Sequence, residues 1–455
     1  MISRIKLEQS YEEREDQFLK ELSEFLSFKS IATDPAFDSD TLKCAEWLKA
    51  HFESLGMTAD MLSTHTKPVV FAECQSDIPG PTVVFYGHYD VQPVDPIELW
   101  TSPPFEPEVR SGRIYARGAQ DNKGQLFYVV KAVQLLKEQK ALGCNVKFFI
   151  EGEEECGSTG IAGAMAGWKE KLKSDVLLVC DTGTRSEEIC SITMGLRGIV
   201  GLGVRLSGLR TDLHSGVHGG VAPNPAQEMI ALLAKLHHSN GSIAVPDFYD
   251  NMIDPTPKER ELADKVDITP EMYKAMSGVL PAGGEDERSF ADRRGFRPTL
   301  EINGVHSGYG GAGMKTIVPS EAIAKLSCRI VPGQGPEIIL NLVADFLQEH
   351  APDSLDFEIT DRELGGPAVR VDLDSPCIKR AEEVLSQLST KPVELMWEGA
   401  SIPIVSSLAH LCGADPLLVG FGLEEDNIHA PNESFSLSQF KKGVLFAGMF
   451  LNKPK

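Results

Sequence analysis

Nowhere does the 455-residue sequence hold an apolar run approaching the roughly 18–20 residues that a membrane helix needs, and its mean hydropathy is -0.13. Its first residues, MISRIKLEQSYEEREDQ, have no apolar stretch of the kind a secretory signal carries. Basic residues are in short supply: 44 Lys and Arg face 66 Asp and Glu, a formal charge of -22. Such a surface repels phosphate backbones, so no nucleic-acid partner is expected, and no membrane. Nine cysteines are an odd number and contain no Cys-x-x-Cys pair. That excludes a disulfide framework and predicts a reducing compartment, the cytoplasm. No repeat of roughly 20–50 residues and no low-complexity tract occurs. No Gly-x-Gly-x-x-Gly follows the first strong strand, which argues against a nicotinamide dehydrogenase. ARGAQDNKG lacks the Gly-Lys-Ser/Thr ending of a phosphate loop.

The length predicts two domains, since one core rarely grows past roughly 250–300 residues. Two amphipathic helices are expected between residues 11 and 55, the second with Leu42, Ala45, Leu48, Phe52 and Leu55 on one face. Apolar strand-like runs (82–86, 145–150, 175–180) then alternate with helix-like runs (123–138, 157–172). That pattern predicts a parallel sheet covered on both faces. After about residue 196 the order becomes strand 200–206, helix 225–236, strands 299–305 and 321–330, helix 336–348 and strand 355–359. This β-α-β-β-α-β order is that of a ferredoxin-like unit. Residues 240–296 form a charged insertion without a readable pattern. From about 373 the first pattern resumes. The expected architecture is an α/β domain with a mostly parallel central sheet (1–195 and 373–455), interrupted by a ferredoxin-like α+β domain (196–372).

Several strands of the α/β domain end in metal-type ligands. TVVFYGHYD ends in His88 and Asp90. VKFFIEGEEE ends in Glu153, Glu154 and Glu155, and DVLLVCD in Asp181. ARGAQDNKG sets Asp121 just before a helix, and NIHAPNE carries His429. The carboxyl ends of strands line the ligand crevice of open α/β sheets, so distant residues can meet there. Any one of these residues alone reads as a cap, a solvated face or a satisfied core histidine. Together they form a carboxylate and imidazole set suited to Zn²⁺ or Mn²⁺. Glu153 reads as a solvated third carboxylate, and Cys156 and Cys180 as residues without a catalytic role.

On GHYDVQP, ARGAQDNKG, the EEE-CGS stretch, DLHSGVHGG and EGASIP followed by His429, the chain resembles the ArgE/DapE/carnosinase-type di-metal peptidases, in particular the cytosolic dipeptidase branch. The resemblance implies a zinc-peptidase-like catalytic domain with an inserted lid and dimerisation domain. It implies two divalent metals per subunit, Zn²⁺ first, with Mn²⁺ or Co²⁺ as alternatives. Asp121 would bridge them, His88 and Asp181 would complete one site, and Glu155 and His429 the other. Glu154 would be the general base toward a metal-bridging water, and Asp90 would hold the far nitrogen of His88. A cis peptide is implied between Asp121 and Asn122. His214 would act in the neighbouring subunit's active site, which requires a homodimer. Arg329, Ser401 and Gly399, with Lys315 as a further candidate, would bind the terminal carboxylate of a small peptide substrate. The chain departs from the family's Arg-Glu-Gly-Gly-Ser at Trp397-Glu398-Gly399-Ala400-Ser401, so the loop that meets the substrate is altered. The expected activity is hydrolysis of dipeptides or short peptides. The alternatives are an N-acyl-amino-acid amidohydrolase and a non-catalytic metal-binding scaffold.

Overall fold

The structure, a computed structural model, describes residues 2–266 and 268–453. The chain divides into two compact units. One is Met1–Met194, Val371–Met396 and Ser407–Lys455; the other is Gly195–Arg370 and Trp397–Ser406. Among the described residues no helix is long and apolar enough to cross a membrane.

The first unit is built on a mixed sheet whose middle is parallel. Its strands lie in the order Thr58–Leu62, Val69–Cys74, Asn145–Glu151, Thr82–His88, Val176–Val179, Asp415–Leu418, Ser191–Leu196. The four strands from Asn145–Glu151 to Asp415–Leu418 run parallel, and those outside them antiparallel. Every residue of Thr82–His88 after Thr82 is buried, as a central strand covered on both faces requires. Helix Lys123–Glu138 is buried along its whole length to Leu136 and packs against the C-terminal helix Leu437–Phe450. The helices approach closely at Gly443, where a Cβ would stand 2.5 Å from the Tyr128 ring.

Some expectations need correction. Thr58–Leu62, Val69–Cys74 and Ser191–Leu196 are strands that the pattern did not reveal; Thr58–Leu62 lies at an edge with Thr58 and Asp60 exposed. The helix expected over 157–172 is broken into Thr159–Ala164, Met165–Trp168 and Lys169–Leu172, since Gly157, Gly160, Gly163 and Gly167 weaken it. A further N-terminal helix, Arg4–Glu12, precedes the two expected, Glu15–Leu26 and Asp38–Ser54. In the last, Leu42 is 43% exposed, and Thr41 and Cys44 take its place on the buried face.

The second unit holds a four-stranded antiparallel sheet in the order Thr299–Ser307, Glu321–Ile330, Gly198–Ser207, Asp356–Gly366. By chain order this is 2-3-1-4, the ferredoxin-like arrangement. Val200, Leu202, Val204 and Leu206 alternate into a core shared with Ala322, Ala324, Leu326 and the helices Pro225–Leu233 and Pro336–His350. The 240–296 insertion contains helices Pro257–Lys265 and Pro270–Ser277. Trp397–Ser406 belongs to this unit and not, as expected, to the returning first domain. The reason is tertiary: Trp397 packs on Phe296 with ring centroids 5.3 Å apart, and Ser401 bonds to Arg329.

Candidate metal centre

Parallel pairing brings strand ends with polar residues to one edge of the first unit's sheet. His88 is the last residue of its strand, and Asp181 follows Val176–Val179 by two positions. Glu154 and Glu155 lie on a helical turn just past Asn145–Glu151. Asp121 precedes helix Lys123–Glu138, and the Asp121–Asn122 peptide is cis.

Two ligand sets result. His88, Asp121 and Asp181 form one; Asp121, Glu155 and His429 form the other. Within each set the ligand atoms lie within 4.8 Å of one another. Asp121 belongs to both, with Oδ1 3.1 Å from His88 Nε2 and Oδ2 2.8 Å from His429 Nε2. Asp181 Oδ2 is 3.8 Å from His88 Nε2, and Glu155 Oε1 is 3.5 Å from His429 Nε2. His429 sits in a left-handed turn (φ 59°) with its side chain 51% exposed.

Neighbouring polar groups fix these side chains. His88 Nδ1 lies 3.0 Å from the Asp90 carbonyl oxygen and 3.4 Å from the Asp90 carboxylate. Its closest partner is therefore the Asp90 main chain, not the carboxylate expected. That carboxylate instead accepts the backbone N–H of Glu154 (3.2 Å) and of Glu155 (3.0 Å), orienting both glutamates. Asn122 donates to the Cys180 carbonyl (2.8 Å) and to Asp181 Oδ1 (2.7 Å). Gln92 donates to Glu155 Oε2 at 2.6 Å.

Glu433, which the sequence reading quoted but gave no role, is 1% exposed. One of its oxygens accepts the N–H groups of Gln120 and Asp121; the other accepts from Gly118 N–H and Arg117. It clamps the loop that carries Asp121. Its only signal in the sequence is its place four residues after His429. Glu153 is not solvated: it is 5% exposed and accepts the Gly160 N–H.

The electrostatics of the protein groups alone are those of a concentrated anion. Burial raises the Glu154 carboxyl well above the ordinary carboxylate value; Asp181, Glu155 and Asp121 add to the rise while His88 opposes it. Burial and Asp121 likewise raise Glu155. Burial alone would lower His88, but the carboxylates of Asp121, Asp181 and Asp90 around it outweigh it and hold the imidazole well above its usual value. The hydrogen bond to Asp121 and the charge of the Glu155 carboxylate, 3.5 Å away, lift His429 to about 10. Both imidazoles are thus raised by the carboxylates around them, and a divalent metal competes with a proton for the same nitrogen positions. The fit has a direct sign: Glu155 Oε1 is buried and makes no hydrogen bond. Nitrogen and carboxylate donors of this kind suit a divalent first-row metal.

The other expected residues lie in the second unit. Arg329 Nη1 donates to Ser401 Oγ at 2.7 Å. Gly399 neighbours them through Arg197, which donates to its carbonyl at 3.3 Å. His214, exposed, ends the short strand Leu213–His214 and caps the helical turn Ser215–His218, its Nδ1 accepting the Gly216 N–H at 3.0 Å. Lys315 is exposed and pairs with Asp212 at 3.5 Å, so its position does not join the Arg329 group.

Residues 84–453 match the peptidase family M20/M25/M40. The chain is 28% identical over 465 residues to the Cys-Gly metallodipeptidase dug1 of Schizosaccharomyces pombe, covering 96% of each chain. It is 27% identical over 472 residues to the Beta-Ala-His dipeptidase of Rattus norvegicus, covering 99% of this chain and 95% of that one. The crystal structure of the M20 family metallo-carboxypeptidase Sso-CP2 from Sulfolobus solfataricus superimposes with a TM-score of 0.87 at 32% identity, over 95% of this chain and 98% of that one. Because the match spans residues 84–453, most of the chain, the chain belongs to the M20/M25/M40 peptidase family.

Proposed function

We propose that this peptidase is a binuclear metallodipeptidase acting on dipeptides or short peptides with a free C-terminal carboxylate. The observation that carries the reading is the position of Asp121, one oxygen toward His88 and the other toward His429. A carboxylate so placed can serve two cations at once. His88 and Asp181 would hold one, Glu155 and His429 the other. Zn²⁺ is the preferred ion for this nitrogen and oxygen set, with Mn²⁺ or Co²⁺ as alternatives.

When bound, two such cations supply the Lewis acidity that lowers the pKa of a shared water and polarises the scissile carbonyl. The protein's own part is proton handling and orientation. Glu154, on the same turn as Glu155, takes the proton of the attacking water and delivers it to the leaving amine. Asp90 fixes the direction of that turn through the two N–H bonds it accepts. Asn122 and Glu433 hold Asp181 and the Asp121 loop. Arg329, Ser401 and Gly399 receive the peptide's terminal carboxylate, for which a guanidinium fork is suited.

Dipeptides are favoured as substrates because dug1 and the rat relative are both named for dipeptides that they cleave. Cytoplasmic residence is supported by nine free thiols. The inserted unit acts as a lid and dimerisation domain, and His214 works in the active site of a second copy. The edge strand Thr299–Ser307, with Ile302 and Val305 exposed, supports such pairing.

A panel of dipeptides, tripeptides and N-acetyl amino acids, offered to metal-loaded protein, tests the substrate class. Dipeptides should give the highest kcat/KM. Turnover confined to N-acetyl amino acids would make the protein an amidohydrolase with the same metals and base.

A further inference from the structure

Arg197 lies at the start of strand Gly198–Ser207 and took no role in the sequence reading. Its side chain ties together three segments of the second unit. Nε donates to the Gly399 carbonyl at 3.3 Å; Nη1 donates to the carbonyls of Arg293 (3.4 Å) and Arg297 (3.1 Å). Its own carbonyl accepts the Ser401 hydroxyl, while that hydroxyl oxygen accepts from Arg329 Nη1 at 2.7 Å. Arg197, through its main-chain carbonyl, and Arg329, through its side chain, thus hold the same serine hydroxyl. A Cβ at Gly399 would press on Arg197 Nη2 and stand 3.0 Å from the Arg294 carbonyl oxygen, so a larger residue there would push the guanidinium aside.

Every acceptor in these bonds is a neutral oxygen. Burial, with the charges of Arg329 and Arg294 adding to it and that of Glu301 opposing, lowers Arg197 to about 10. Two half-buried guanidiniums that repel each other beside a glycine-serine loop form a place where an anion relieves an existing cost.

We infer that Arg197 is the positioning residue of the carboxylate anchor: it sets the Gly399–Ser401 loop against Arg329 and thereby makes the enzyme selective for a free C-terminal carboxylate. This rests on the proposed reading of Arg329, Ser401 and Gly399 as that anchor. The role is selectivity, not bond cleavage, and a generally structural residue would not show it.

The test compares one dipeptide with its C-terminal amide on metal-loaded wild type, Arg197→Met and Arg197→Lys, with kcat, KM and metal content measured for each. Wild type should prefer the free acid. In Arg197→Met the preference, as a ratio of kcat/KM values, should fall at least tenfold, through a higher KM for the acid. kcat and metal content should stay within about threefold. Arg197→Lys, which keeps the charge and loses the fork, should recover part of the preference. An Arg197→Met protein that loses activity equally on both substrates, or keeps the wild-type preference, overturns the inference. If Arg197→Met does not fold, full preference in Arg197→Lys overturns it. Absence of any acid preference in wild type would instead overturn the anchor reading itself.

Discussion

At the scale of single residues, the proposed division of labour between Glu154 and Glu155 is what the chemistry turns on. Both are raised by burial, but only Glu155 lies beside His429, with one buried oxygen free of hydrogen bonds. Glu154→Gln should therefore keep both metals and lose the proton acceptor, with kcat reduced at least ~10²-fold. Elemental analysis and steady-state kinetics on one preparation check this. A variant that loses a metal, or stays near full activity, assigns the two glutamates the other way. Four of the candidate ligands, His88, Asp121, Glu155 and Asp181, were legible in the sequence because each follows an apolar strand or opens a helix, where a histidine or carboxylate is conspicuous; His429 lies in a turn, and its place came from the resemblance. Glu433 and Asn122 were not legible. They act by bonding to backbone groups and to Asp181, partners that only the fold brings within reach. Asp90 was legible as a residue but not in its detail, because its bonds to Glu154 and Glu155 cross from one strand end to another.

At the scale of elements, the packing of Lys123–Glu138 against Leu437–Phe450 supports the loop that presents Asp121. Gly443 allows the contact. Alanine there improves helix propensity by up to about 1 kcal/mol. Its methyl, however, would stand 2.5–2.7 Å from Tyr128 ring atoms near the ring's attachment, where the side chain has little room to swing away. Overpacking of this kind costs about 1–3 kcal/mol. Gly443→Ala should therefore lower Tm, read by calorimetry or circular dichroism, and an increase would show that the helices have slack. Long apolar runs such as Thr82–His88 and strongly periodic stretches such as Lys123–Glu138 could be read from sequence. The short strands Thr58–Leu62 and Ser191–Leu196 could not, since they are defined by their neighbours more than by their own pattern. In the insertion a local signal was present and passed over: Thr256 and Glu259 form a capping box at the start of Pro257–Lys265.

At the scale of the whole molecule, the interruption of one domain by another follows from the change of pattern near 196 and its return near 373. The assignment of Trp397–Ser406 to the second unit does not, because it depends on packing against Phe296 and bonding to Arg329 and Arg197. The proposed dimer makes a sharp prediction. When Glu154→Gln and His214→Ala proteins are mixed under conditions that exchange subunits, half of the dimers are mixed, and each carries one site with both residues intact. About a quarter of wild-type activity should return, given closed two-fold pairing. Verified exchange with no recovery would confine His214 to its own chain or remove it from catalysis.

The central claim is that one carboxylate, Asp121, serves two metal positions in each chain. It is tested most directly by titrating metal-free protein with Zn²⁺ or Mn²⁺ and following bound metal and peptidase activity together. Two metals per chain should be bound at full activity, and Asp121→Asn should weaken both. Full activity with a single metal per chain would contradict the account.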